Sequence, residues 1–329
     1  MITRRLFVEA MGAGVLTPLH CFAQLPGKVW RIGFLAQRHV DFTDADYYYG
    51  PLTLGLRELG YVVGKNLVIE WRSAEGKVER LPELAAELVM LNIDVLLTGG
   101  TPAAIAAQKA TVSIPIVMVS VADPVGTGLV KSLARPGGNS TGLSTISGEL
   151  SPKLLEMLRE MVPKVSRVAV LANPSNTVNT LVVKNVLAAG KKIGVKIQPV
   201  EARTPEEITS GFAAMARQNA GALIVSQDPL FQQQKNQIVD LAAKHRLPSI
   251  AAYSDYVKAG GLMNYGPNTW EYAKRAATYV DKLFKGVKPG DIPVEQPTKF
   301  ELVVNLKTAK ALGIKIPPTI MVQATKMIE

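Results

Sequence analysis

The chain has 329 residues, 47% of them hydrophobic and 19% charged, a composition that buries a large core and, at this length, favours two domains over one. No uninterrupted apolar run approaches the roughly 20 residues that span a bilayer. The formal charge of +10 comes from lysines scattered along the chain without an arginine-rich tract, which argues against a nucleic-acid partner.

Residues 1–23 read as a signal peptide, because Arg4 and Arg5 precede a short apolar segment and then the small residues Cys21 and Ala23. Cleavage after Ala23 starts the mature chain near Gln24 in the periplasm. It also removes the only cysteine, so no disulfide or thiol chemistry is expected. Thr3-Arg4-Arg5-Leu6-Phe7 resembles a twin-arginine export motif, although Glu9 fits it poorly, and both export routes stay open. His20 stands where lipidation of Cys21 would want a small residue.

Short apolar runs follow at 31–35, 67–71, 95–98, 116–121, 167–171, 196–200, 222–226 and 249–252, each trailed by a helical stretch. Continuous apolar strands alternating with helices predict an α/β fold with parallel sheets covered on both faces. The plan repeats: strand, Pro-containing turn, helix and an Ile-Pro or Leu-Pro opening recur around 92–124 and 219–255. Two similar Rossmann-like lobes explain the repeat. Thr101-Pro102, Asp123-Pro124, Asn173-Pro174 and Asp228-Pro229 each place a capping side chain before a proline suited to a first helical turn. Ligands of open α/β sheets bind at that edge, where free N–H groups favour anions.

Within 120–142, Gly126, Gly128, Lys131 and Ser132 imitate a phosphate-binding loop. The spacing fails, since a P-loop needs four residues between its first glycine and a Gly-Lys pair. The stretch reads instead as a strand ending at a ligand-facing edge, with Ala122 and Asp123 in the cleft and a short helix from Pro124. The mature chain's histidines, His39 and His245, lie far apart without metal-ligand or triad spacing. No cofactor or metal is expected, and an enzyme would need Asp123 or Asp228 as its acid or base. His245 suits a helix end as a cation.

The stretches GGTPAAIAAQKAT, ADPVGTGLVKSLARPGGNSTG, YVKAGGLMNYGPN and VEQPTKFELVVNLKTAKALG resemble the substrate-binding proteins of ABC transporters that include the tryptophan- and tyrosine-binding proteins. Their fold is the type I periplasmic-binding-protein architecture. The resemblance implies two lobes joined by a three-segment hinge: 28–142 with 255–292, and 145–252 with 300–329. Crossings would fall near 143–148, 251–254 and 294–299. It further implies a monomer that captures a small amino-acid-like ligand, aromatic amino acids included, and delivers it to a permease and ATPase. A ligand-sensing receptor for a membrane signalling partner is the alternative.

By the same resemblance Thr98, Gly99, Gly100 and Thr101 hold a ligand carboxylate. Asn173, Asn176 and Asp228 face it from the other lobe, Asp228 meeting an ammonium group, and Tyr253, Met263 and Tyr265 supply apolar walls. The segment 37–50 departs from the family pattern. Gln37 and the run Tyr47, Tyr48 and Tyr49 stand there within reach of the cleft mouth, the tyrosines reading more readily as helix packing.

Overall fold

The computed structural model describes residues 28–43 and 48–329. The expected signal peptide, Cys21 and Tyr47 lie outside the described residues.

The first lobe is built from β1 (Trp30–Ala36), α1 (Tyr49–Glu58), β2 (Leu67–Ser73), α2 (Leu81–Met90), β3 (Val95–Gly99), α3 (Thr101–Ala110), β4 (Ile116–Ala122) and β5 (Ser140–Thr145). Its strands form a parallel sheet in the order β2-β1-β3-β4-β5. Every residue of β3 and of β5 is buried, as a sheet with helices on both faces requires.

The chain then enters the second lobe through α4 (Ser147–Met161), β6 (Arg167–Ala172), α5 (Thr177–Ile193), β7 (Lys196–Glu201), α6 (Pro205–Arg217) and β8 (Ala222–Val225). It continues with α7 (Pro229–Gln233), α8 (Lys235–Lys244), β9 (Ser249–Ala251), α9 (Asp255–Lys258) and β10 (Met263–Pro267). Next, α10 (Thr269–Phe284) returns to the first lobe, and β11 (Phe300–Asn305), α11 (Leu306–Leu312), α12 (Pro318–Gln323) and β12 (Lys326–Ile328) finish in the second. The second sheet runs β12-β11-β10-β9-β8-β6-β7, with β10 and β11 antiparallel and the other pairs parallel.

The expected boundary at 255 is corrected by this sheet. Residues 255–267 belong to the second lobe, because β10 pairs with β9 through Met263↔Ile250 and with β11 through Met263↔Val304. The second crossing is therefore at Asn268 rather than at 251–254. Beyond it, Ala273, Ala276, Ala277 and Val280 of α10 bury against Leu52 and Leu56 of α1 in the first lobe's core. An apolar face drives that return, since a fully buried valine or leucine contributes about 1.5–3 kcal/mol and each alanine methyl a smaller share.

The other two crossings lie at Ile146, between β5 and α4, and at 296–299. Ser144 N–H donates to Glu295 O at 2.8 Å and Glu295 N–H to Gly142 O at 3.0 Å, so Glu295 still belongs to the edge of the first sheet. The Tyr272 hydroxyl of α10 bonds the carbonyls of both Ser144 and Glu295, tying to one helix the two first-lobe strand ends that lead into these crossings.

Of the four capping pairs, Asp228-Pro229 alone behaves as expected, with Asp228 the N-cap of α7. Thr101 lies inside α3, whose N-cap is Gly100, and α5 starts three residues after Asn173-Pro174, capped by Asn176. No helix follows Asp123. Its carboxylate accepts from Gly126 N–H at 2.8 Å and closes a turn, after which Gly128 takes a φ of 75° and breaks any helical continuation.

Candidate functional site

The carboxyl edges of the two sheets face each other around a narrow chamber of about 30 Å³. From the first lobe it is lined by Tyr48, Gly100, Thr101, Ser120 and Ala122, and from the first crossing by Thr145 and Ser147. The second lobe supplies Asn176, Val178, Gln227, Pro229 and Gln232. Among the described residues no acidic or basic side chain lines it.

Tyr48 closes one wall. A Cβ at Gly99 would stand 2.7 Å from the Tyr48 ring, so only glycine lets the ring lie flat on the end of β3. The ring also tilts against Phe34 at 5.1 Å, and the Arg38 guanidinium lies 4.9 Å from its centroid. Tyr48 is thus both a packing residue and a chamber wall, whereas Tyr49 packs outward against Phe42 and Trp71. His39, exposed on the same loop, pairs with Glu75 and Asp41. The Glu75 carboxylate, hydrogen-bonded to its ring, holds its pKa above the ordinary imidazole value, with Asp41 adding to the effect.

Gly100 begins α3 with a φ of 94° and no side-chain cap. The Thr101 hydroxyl accepts from Ala122 N–H at 3.1 Å, which locks the start of α3 to the end of β4. Ser120 and Asp123 bracket that end with φ values of 59° and 45°, and the register slips between Met118 and Val121. Left-handed backbone at a non-glycine residue costs about 1–3 kcal/mol and clusters at functional sites. The irregularity brings Ser120 and Ala122 onto the chamber together.

Two further side chains stand at the carboxyl edge of the first sheet. Gln37, 1% exposed, has neither amide atom hydrogen-bonded, and the fully buried Thr98 hydroxyl is also without a partner. They sit on neighbouring strand ends, because Leu35 pairs with Thr98 and Ala36 with Gly99. Buried polar groups are satisfied in the large majority of native structures.

Across the cleft, Asn176 caps α5 by accepting from Val178 N–H at 3.2 Å and donates to Asp228 Oδ2 at 2.9 Å. Asn173 donates to Asp228 Oδ1 at 3.2 Å, and Leu230 N–H to the same oxygen at 2.9 Å. Asp228 is completely buried, and this desolvation raises its carboxyl pKa against the opposing pull of those donors. It stands behind the chamber wall and braces Asn176, rather than opening onto the space where an ammonium was expected. Gln227 beside it accepts from the Ser147 hydroxyl at 2.7 Å, and Ser147 bonds Thr145 at 3.0 Å, linking the second lobe to the first crossing.

Of the expected site residues, Gly100, Thr101, Ala122 and Asn176 line the chamber, with Gly99, Asn173 and Asp228 directly behind. The Asp123 side chain turns outward into its own turn. Tyr253, Met263 and Tyr265 are not cleft walls. Met263 and Tyr265 point into the second lobe's core, Tyr265 stacked on Phe300, and Tyr253 packs against Tyr256 on the sheet's other face. The reason is the placement of β10 inside the second sheet. Ser120, Thr145, Ser147, Val178, Gln227, Pro229 and Gln232 were not expected; only Gln227 and Pro229 had a local signal, as neighbours of the capping Asp228.

Among the described residues no cluster of three or more His, Cys, Asp or Glu side chains is placed to hold a metal ion. No helix there is long and apolar enough to cross a membrane.

Comparison with known proteins gives a consistent relationship. The chain is 29% identical over 260 residues, 79% of its length and 74% of the relative's, to the tyrosine-binding protein of Clostridioides difficile strain R20291. It resembles an ABC domain from Streptococcus pneumonia solved in complex with L-Trp, with a TM-score of 0.82 and 26% identity over 90% of this chain and all of that one. To a ligand-free, open substrate binding protein with adhesive properties from Clostridium difficile, the TM-score is 0.64 at 26% identity, over 91% of this chain and 99% of that one. A model of the ABC transporter substrate binding protein family matches residues 40–328. With two lobes of type I periplasmic-binding-protein architecture and a chamber shared between them, the chain belongs to the ABC transporter substrate binding protein family.

Proposed function

We propose that this protein is the periplasmic solute-capture component of an ABC importer. It takes a small amino-acid-like ligand between the lobes, where the chamber of about 30 Å³ must widen to admit it, and presents it to the permease and ATPase. The observation that carries the reading is the chamber itself, walled by Gly100 and Thr101 from the first lobe and by Asn176, Gln227 and Gln232 from the second. Gln37 and Thr98, buried and unpartnered at the same sheet edge, stand outside that lining; a bond to a ligand there would relieve an unmade hydrogen bond, worth about 1–3 kcal/mol each.

The lobes stand close together. A Cβ at Gly100 would lie 3.3 Å from Pro229, and one at Gly76 3.6 Å from Gln233. The higher TM-score with the L-Trp complex than with the ligand-free, open relative, at equal identity, supports a closed arrangement. A ligand that touches both lobes favours closed over open arrangements, and binding thereby drives hinge closure. The names of the relatives support a tyrosine- or tryptophan-like ligand.

Native mass spectrometry of protein purified from its own periplasm, followed by calorimetric titration with the twenty amino acids, tests the reading. A co-purified amino acid, bound one per chain, is the expected result. Silence across the whole panel removes the amino-acid assignment.

A further inference from the structure

We propose a second small-molecule site on the second lobe, at the sheet edge opposite the cleft, for an organic anion with an apolar body. A cavity of about 440 Å³ lies there between α8 and α11, within the range of small-molecule pockets. Its body is formed by Val239, Leu247, Leu262 and Leu312, and Arg246 and Lys307 also line it. Among the described residues no acidic side chain lines it and neither cation has an ion-pair partner. Ser249, 2% exposed, stands in its wall. Its hydroxyl accepts from Tyr256 at 2.7 Å and keeps its own proton to donate.

Arg246 carries an independent sign. It closes α8 in the left-handed conformation, with a φ of 53°, held by Arg246 N–H to Ala243 O at 3.0 Å and Leu247 N–H to Ala242 O at 2.8 Å. The left-handed residues ending α1, α2, α5, α6, α10 and α11 are Gly60, Asn92, Gly194, Asn219, Gly286 and Gly313. Those are the residue types such a cap prefers. Arginine is disfavoured there by its Cβ, so the backbone gains nothing from it, while its side chain gains a place on the cavity that Lys307 also lines. Two unpaired cations over an apolar floor, with a buried hydroxyl donor, complement a carboxylate or sulfonate attached to a hydrocarbon.

The test is a fluorescence titration of the full chain with 1-anilinonaphthalene-8-sulfonate and with N-phenyl-1-naphthylamine, which has the same apolar body without the charge. The sulfonate is expected to bind one per chain, at least tenfold more tightly than the neutral dye, and to be displaced by decanoate. Arg246→Gly and Lys307→Gln should each weaken it at least tenfold. Arg246→Gly should at the same time melt no lower than the parent, because glycine suits the left-handed cap; loss of binding there is not loss of fold. Equal affinity for the two dyes, or sulfonate affinity unchanged in both variants, overturns the proposal.

Discussion

Gly100 and Pro229 meet across the cleft: a methyl group on Gly100 of the first lobe would lie 3.3 Å from Cγ of Pro229 of the second. Each residue stands where a helix begins, one at the N-cap of α3 and one in the first turn of α7, so two helix starts meet over the chamber. Gly100→Val places a β-branched side chain at a φ of 94° and into this contact. Strain of about 1–3 kcal/mol and a wedged cleft should lower ligand affinity at least tenfold. Small-angle scattering should show a larger radius of gyration with ligand present than the parent has.

Asn176 does two things at once, capping α5 and donating to the buried Asp228. Its replacement by alanine removes a cap, at about 1 kcal/mol, and leaves a buried carboxylate short of a donor, at about 1–3 kcal/mol. The expected loss in urea unfolding is therefore about 2–4 kcal/mol. Thr177→Ala, at an exposed neighbour, should move stability by less than about 0.5 kcal/mol.

Burial raises the Asp228 pKa above its unfolded value, which sets the sign of a pH effect. The folded state favours the protonated form, so this group's contribution to stability is complete below the unfolded value of 3.8. It is lost as pH rises through the higher folded value. The Asp228→Asn protein should lack that decline, and denaturant midpoints measured from pH 3.5 upward should show the parent falling relative to the variant.

Glu295 gives the opposite sign just before the third crossing. The Arg275 guanidinium, hydrogen-bonded through two nitrogens at 2.9 and 3.1 Å, holds the Glu295 carboxyl below its ordinary value. That contribution is present above the unfolded value of 4.5 and lost as pH falls through the lower folded one. The pair is partly exposed, so Glu295→Gln should flatten the acid limb by less than about 1 kcal/mol.

Tyr272 ties the first-lobe ends of two crossings through one hydroxyl. Tyr272→Phe keeps the ring and removes the tie, which should cost about 1 kcal/mol of stability. Stopped-flow fluorescence should show faster opening and closing, with a smaller effect on equilibrium affinity. Unaltered rates would make the hydroxyl a static brace.

The strands 31–35, 67–71, 95–98, 116–121, 167–171, 196–200, 222–226 and 249–252 were legible within a residue or two of β1 to β4 and β6 to β9, because a strand buried on both faces is a continuous apolar run whatever its neighbours. The strand β5 was hidden, since Ser140, Thr141, Gly142, Ser144 and Thr145 carry no apolar signature; it is a strand because β4 pairs with it. Likewise β10, with Asn264, Gly266 and Pro267, reads as a loop until β9 and β11 enclose it. That enclosure moved Met263 and Tyr265 from cleft to core.

The cleft itself divides the same way. Composition and local pattern determined a two-lobed α/β chain, the edge that carries Gly100, Thr101 and Ala122, and the capping role of Asp228. Tertiary structure alone decided that Asp123 turns outward, that Asp228 stands behind Asn176, and that Ser120, Ser147, Gln227 and Gln232 share one chamber. Apolar periodicity and caps act over a few residues and are written locally. The chamber is made by loops far apart in sequence, and their meeting depends on three crossings and on a bulge in β4 that no short stretch of the chain encodes.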